Sequence, residues 1–172
     1  GDLSGWSGDT SNAEVLTGFS GTGATWSPQD GSYFLKLSDN NSILEQTGVV
    51  NAGQILSGWV GLEGDSVLQC FFGLDSKSAS VTVRDSVGTV IATPGEVTAI
   101  APGCAGPILW TDWSWIAPIS GTYTVSFEVS EVTGGVRGFF DGIEISAIPE
   151  PTTLLLMGLG LAGIGYRRKK TA

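Results

Sequence analysis

Gly121-Thr122-Tyr123-Thr124-Val125-Ser126-Phe127-Glu128-Val129 decides the fold. Tyr123, Val125, Phe127 and Val129 alternate with Thr122, Thr124, Ser126 and Glu128. Successive strand side chains point to opposite faces, so this period puts one face on a core and the other in water. Pro118-Ile119-Ser120-Gly121 before it and Thr133-Gly134-Gly135 after it are turn-forming. A strand bounded by turns on both sides belongs to an antiparallel sheet.

The same grammar extends outward in both directions. Val136 to Ser146 closes the body as a strand, and Trp110 to Ala117 sets Trp113, Trp115 and Ala117 on one face. Ser78 to Asp85 turns Ala79, Val81 and Val83 inward, and Asp85-Ser86-Val87-Gly88 makes a hairpin into Thr89 to Thr93. Gln54 to Val60 is partly apolar on both faces, which predicts a central strand. Ser66 to Leu74 carries Cys70. Ser42 to Val50 is a strand, as is Ser32 to Ser38, where Tyr33, Leu35 and Leu37 share a face. Thr10 to Phe19 alternates weakly, Gly18 to Gly23 reads as a loop, and Pro94 to Pro107 is loop-rich and holds Cys104. About nine short strands with no helical period before residue 148 predict an all-β antiparallel β-sandwich over residues 1–147.

Composition narrows the function. Of 17 acids, all but Glu150 precede Pro149, while four of eight cations follow it, so the body carries a net charge of −12. Such a surface repels phosphate backbones and excludes nucleic acid as a partner. The chain contains no His. Cys70 and Cys104 have no base partner, and the acid pairs Asp39 with Glu45 and Glu63 with Asp65 lie in or beside turns, so the body reads as non-catalytic. Two cysteines, an even number, would favour a Cys70–Cys104 disulfide if the chain works in an oxidising compartment, and the bond would add roughly 3–4 kcal/mol in the chain-entropy model. Two buried thiols are the alternative.

Residues 148–172 form a distinct tail. Pro149-Glu150-Pro151 is followed by an uncharged run to Tyr166 and then by Arg167-Arg168-Lys169-Lys170. The apolar run needs burial, and the cation block favours the cytoplasmic side of a membrane. The run is shorter than the roughly 20 residues of a full span, and Gly158, Gly160, Gly163 and Gly165 weaken it as a helix. By residues alone it is a short hydrophobic helix for membrane targeting, a plain membrane helix or a buried core helix. The order of triplet, apolar run and basic end resembles the PEP-CTERM sorting signal. That resemblance implies recognition of Pro149-Glu150-Pro151 by exosortase, a membrane transpeptidase, and a transient anchor in the inner membrane of a bacterium, cut near the triplet. Export also implies a leader removed ahead of Gly1.

The body resembles the galactose-binding-like jelly-roll modules of exported bacterial proteins. Gly1-Asp2-Leu3-Ser4-Gly5-Trp6, Ile43 to Thr47 with Ala52 to Val60, Trp113 to Pro118 with Gly121 to Phe127, and Phe140 to Ile145 carry the likeness. Two departures matter. The chain starts after the short strand that such modules place first, which predicts an exposed sheet edge open to strand addition. It also has Asp141-Gly142 where the family often has two acids, so Asp141 is the ligand carried over for a structural calcium. Asp2, Glu14, Asp30 and Asp39 supply further hard oxygens but have no EF-hand spacing, and solvated turn acids are the plainer reading.

Six tryptophans suit glycan stacking, although Trp is usually packed. Trp59, Trp113 and Trp115 lie in strands and are expected in the core. Trp26 and Trp110 sit at loop positions and are the expected glycan contacts. Together these features predict an exported cell-surface or extracellular-matrix protein with a structural or adhesive role, self-association included. The other candidate role is carbohydrate binding to exopolysaccharide.

Overall fold

The computed structural model describes residues 3–21, 23–38, 41–64, 76–100, 106–131 and 135–146. Twelve strands follow in chain order: β1 (Ser7–Gly8), β2 (Ala13–Leu16), β3 (Phe19–Ser20), β4 (Thr25–Trp26), β5 (Phe34–Ser38), β6 (Ile43–Val50), β7 (Ile55–Gly64), β8 (Ser76–Arg84), β9 (Val90–Ile100), β10 (Ile108–Ile116), β11 (Gly121–Glu131) and β12 (Val136–Ser146). One 3-10 turn, Thr10–Asn12, is the only helical element among the described residues. The expected strand at Ser66 to Leu74, the Cys70–Cys104 bond and the hydrophobic helix of residues 148–172 lie outside them.

Two five-stranded sheets face each other. The first has the order β1-β6-β11-β8-β9 and the second β10-β7-β12-β5-β2, with every pairing antiparallel. A short third sheet pairs β3 with β4. Eight of the nine expected strands fall among the described residues, and β1 to β4 bring the total to twelve; with two to four residues each, these four are too short to show a clear period.

The alternation of β11 is realised as expected. Tyr123, Val125, Phe127 and Val129 are buried, and Phe127 packs against Phe140 of the facing sheet at 4.7 Å between ring centroids. Leu44, Val60, Val81 and Leu37 complete the layer from four other strands. On the outer face of β11, Ser126 is buried too, because charged neighbours roof it. Its hydroxyl donates to Glu45 Oε1 at 2.7 Å, while Arg84 Nη2 reaches Glu128 Oε1 at 2.9 Å. The strand β7 runs between β10 and β12, so its central position is as the sequence predicts.

Strand β9 corrects the reading of Pro94 as the start of a loop. It continues to Ile100 through two register shifts against β8, the first between the pairs Val81↔Gly95 and Val83↔Ala92. That interval holds one extra residue on β9, beside Pro94. A proline fits there because β9 is an edge strand and a bulged residue owes no ladder hydrogen bond.

Strand β5 is corrected as well. Leu37 is buried on the predicted face, but Phe34 is buried on the other face and Tyr33 is half exposed. A second layer over the outer face of the β5-containing sheet causes this, and it shapes the site.

Candidate binding face

Register fixes what the second sheet shows to solvent. On β7, Leu56, Val60 and Leu62 are buried in the main core, so Ile55, Ser57, Trp59, Gly61 and Glu63 face outward. Cross-strand pairing extends each of these into a row. Asp112, Trp59 and Asp141 form one row, and Ser114, Ser57 and Glu144 the next. Ile116, Ile55 and Ser146 form the third. Beyond Trp59 the pattern continues with Phe139 beside Gly61 and Arg137 beside Glu63.

Those last two rows are covered by residues 18–21 and 23–30, which fold as a strap across the sheet. Phe19 pairs with Trp26 in its hairpin, and Trp26 stacks on Phe139 with ring centroids 4.1 Å apart. A Cβ on Gly61 would run into the Trp26 ring, so this glycine makes room for it. The buried Glu63 holds the strap by its donors: Trp26 Nε1–H at 3.2 Å and the Gly23 N–H at 3.1 Å. Lys36 and Arg137 place their cations 5.2 and 5.3 Å from the centre of the Phe19 ring. The strap therefore rests on a second small core of Trp26, Phe34 and Phe139.

Three rows stay open, and Trp59 stands at the step where the strap ends. Its indole is half-buried. The pyrrole edge lies against Gly142, where an added Cβ would come within 3.0 Å of Cδ1. Gly142 adopts φ +58° inside a bulge of β12, between the pairs Asp141↔Trp59 and Glu144↔Ser57. That left-handed conformation suits glycine. Around the ring are Asp112 and Ser114, both exposed, and the Ser57 hydroxyl, which donates to Glu144 Oε1 at 3.3 Å.

The sequence-predicted residues fare differently. Trp26 is corrected: it is 1% exposed, sandwiched between strap and sheet, and its ring offers no face to a ligand. The loop position concealed it because the strap folds back onto a glycine distant in sequence. Trp110 is half-buried at the rim of the strap; its Nε1–H donates to the Ser27 carbonyl at 3.0 Å, and its ring meets Trp26 edge-on at 5.2 Å. Trp113 is in the core as expected and Trp115 packs against it, but Trp59 is on the outer face. The signal that separates them is Ser57, the polar residue on the face of β7 that carries Trp59.

Asp141 is 5% exposed and fully engaged. Its Oδ2 accepts the N–H groups of Gln29 and of Asp30, the latter at 3.1 Å, and Oδ1 accepts the Gly142 N–H at 2.7 Å. Three backbone donors make it a clasp for the end of the strap. Among the described residues no group of three or more Cys, Asp or Glu side chains is placed to hold a metal ion. The expected ligands Asp2 and Asp39 lie outside the described residues.

Between the N-terminal segment and β12 lies an open cleft of about 190 Å³, lined by Leu3, Trp6, Tyr33 and Ile143 among others. Its lining is mostly apolar, and Asp141, its one carboxylate, is already occupied.

Residues 147–169 match the PEP-CTERM protein-sorting motif. No curated protein matches the sequence. Among solved structures, TmCBM61 in complex with β-1,4-galactotriose is similar at 18% identity and a TM-score of 0.50, over 86% of this chain and 92% of that one. The xylan-binding domain from CBM 22 is similar at 17% identity and a TM-score of 0.45, over 86% and 89%. The K3 cleaved adhesin domain of Lys-gingipain from Porphyromonas gingivalis W83 is similar at 14% identity and a TM-score of 0.44, over 82% and 94%. The first likeness establishes the fold. Signals of this kind are sorted by exosortase, with transient membrane anchoring before release to the cell surface. This chain is an exported β-sandwich protein that carries a PEP-CTERM protein-sorting motif.

Proposed function

We propose that the body is a non-catalytic carbohydrate-binding domain that works outside the cell, with the open half of the second sheet as its binding face. The observation that carries this reading is Trp59, a half-exposed indole held against Gly142, flanked in register by the exposed Asp112 and followed in the next row by Ser57 and the exposed Glu144. Apolar sugar faces stack on such rings, and carboxylates and hydroxyls beside them accept and donate to sugar hydroxyls. The strap and Trp110 wall the face on one side, so a chain lies across β10, β7 and β12 against that step. The matched sandwich solved with galactotriose supports carbohydrate binding over a purely structural role. Net negative charge disfavours uronic-acid polymers and favours neutral glycans.

The test is a glycan array on the purified protein, followed by calorimetry with the best binder. Parent protein is expected to bind neutral oligosaccharides, and Trp59→Ala to weaken binding about tenfold or more, equivalent to about 1.4 kcal/mol. Trp110→Ala should weaken it less, since that ring is engaged with the strap. An array with no binder, or equal affinity in Trp59→Ala, rejects the proposal.

A further inference from the structure

We propose that the C-terminal half of β6 is a self-complementary edge through which two copies of this chain pair. The geometry starts with which backbone groups point outward. The Ile43 carbonyl accepts the Asp9 N–H at 2.7 Å, and the Ile43 N–H donates to Asp9 Oδ2 at 2.9 Å, both on the side away from β11. The Ser42 carbonyl accepts the Val129 N–H, on the β11 side. Pairing of β6 with β11 is unbroken from Ile43↔Glu128 to Val50↔Gly121. Alternate residues of a regular strand point their N–H and C=O groups the same way. Thr47 and Val49 therefore present theirs to the free side.

Among the described residues nothing guards that side. The partner strand β1 pairs only with Glu45 and Leu44, and the chain then leaves the edge through Gly5, at φ +85°. No partner for the outward groups of Thr47 or Val49 occurs among the described residues. Edge strands are normally protected by charge, proline, bulges or brevity. The other sheet edges show these devices: Pro94 and two bulges on β9, a register shift on β10 beside Asp112, and four residues in β2 with Glu14 paired to Lys36. Gln46-Thr47-Gly48-Val49-Val50 has none of them, and Val49 is 72% exposed.

The stretch matches itself under a two-fold axis at Gly48. Thr47 of one copy then faces Val49 of the other, and each pair exchanges two hydrogen bonds, four in all. Thr47 and Val49 share the outer face, so the exposed Val49 side chain is covered by the opposite Thr47. Gly48 meets its counterpart in a non-hydrogen-bonded position, where Cα atoms are about 4.5 Å apart. A Cβ built on Gly48 meets nothing within 4 Å, so the approach is open. The stretch is uncharged on a body of strong negative charge, which makes it the place where two copies approach with least repulsion. The two five-stranded sheets then join into one. This pairing is independent of the glycan reading, since it uses the opposite sheet.

Sedimentation of the full chain over a range of concentrations tests the idea. A reversible dimer is expected, strengthened by salt as the net charges are screened. Val49→Lys should weaken association at least tenfold while leaving the fold intact, because that side chain is exposed. Gly48→Cys, treated with oxidised glutathione as electron acceptor, should give a reducible dimer whose cross-link maps to position 48. The parent chain treated alike marks any linkage through Cys70 or Cys104. A parent that stays monomeric at millimolar concentration, a dimer indifferent to Val49→Lys, or no cross-link at position 48 overturns the proposal.

Discussion

Trp26 lies on Phe139 with the two rings 24° from parallel, and this contact fastens the strap to the second sheet. Trp26→Ala removes the centre of the small core and is expected to cost about 3–5 kcal/mol. Gly61→Ala pushes a methyl into the same ring and should cost about 1–3 kcal/mol. Chemical denaturation measures both, and the double variant should cost less than the sum, because the cavity left by one accepts the methyl of the other.

Asp141→Asn replaces an acceptor of three N–H groups with a side chain that has one acceptor oxygen and an NH2 group that can only donate. The expected cost is about 1–3 kcal/mol, and hydrogen exchange should quicken first at the Gln29 and Asp30 amides. Because the carboxylate is engaged in this way, millimolar calcium should leave the thermal midpoint of the parent protein unchanged. A calcium-dependent rise in the midpoint would contradict that assignment.

Gly138 sits on β12 where it faces the other sheet, with Ala79 Cβ 3.1 Å from an added Cβ and Val129 nearer still. Gly138→Ala should destabilise by about 1–3 kcal/mol through overpacking. Gly31→Ala, with open space around it but φ +63°, should cost about 1 kcal/mol for backbone conformation alone. Equal losses in the two would show that sheet spacing is not set at Gly138.

Arg84 reaches Glu128 at 2.9 Å and lies 3.9 Å from Glu45, with both bridges about a quarter to a third exposed. Exposed pairs contribute about 0–1 kcal/mol, so Arg84→Met should cost no more than about 1 kcal/mol. Phe127→Ala on the other face of the same sheet should cost about 3–5 kcal/mol. Denaturant midpoints of the two variants compare the networks directly.

Local period made the sandwich legible. The alternations in β8 and β11 each identified a strand and its inward face, and the two-sided apolar character of β7 identified a central strand. The second layer was not legible, because it depends on matches between distant residues. Trp26 needs Gly61, and Glu63 needs the N–H of Gly23, so no window of sequence shows either. Pro94 misled for a related reason: whether a proline ends a strand depends on whether that strand has one neighbour or two. Trp59 was misassigned to the core because large aromatics are usually packed, although Ser57 on the same face already pointed the other way.

The strap ends where Asp141 holds Gln29 and Asp30, and that boundary determines how many rows of the sheet remain uncovered. The size of the uncovered area is thus governed by a connecting segment, while the load-carrying strands stay constant. Lengthening residues 27–31 would narrow the floor and shortening them would widen it, with Phe139 and Gly61 left sheltered beneath. A few residues ahead of Phe34 thus set the extent of the open floor without any change to the interior.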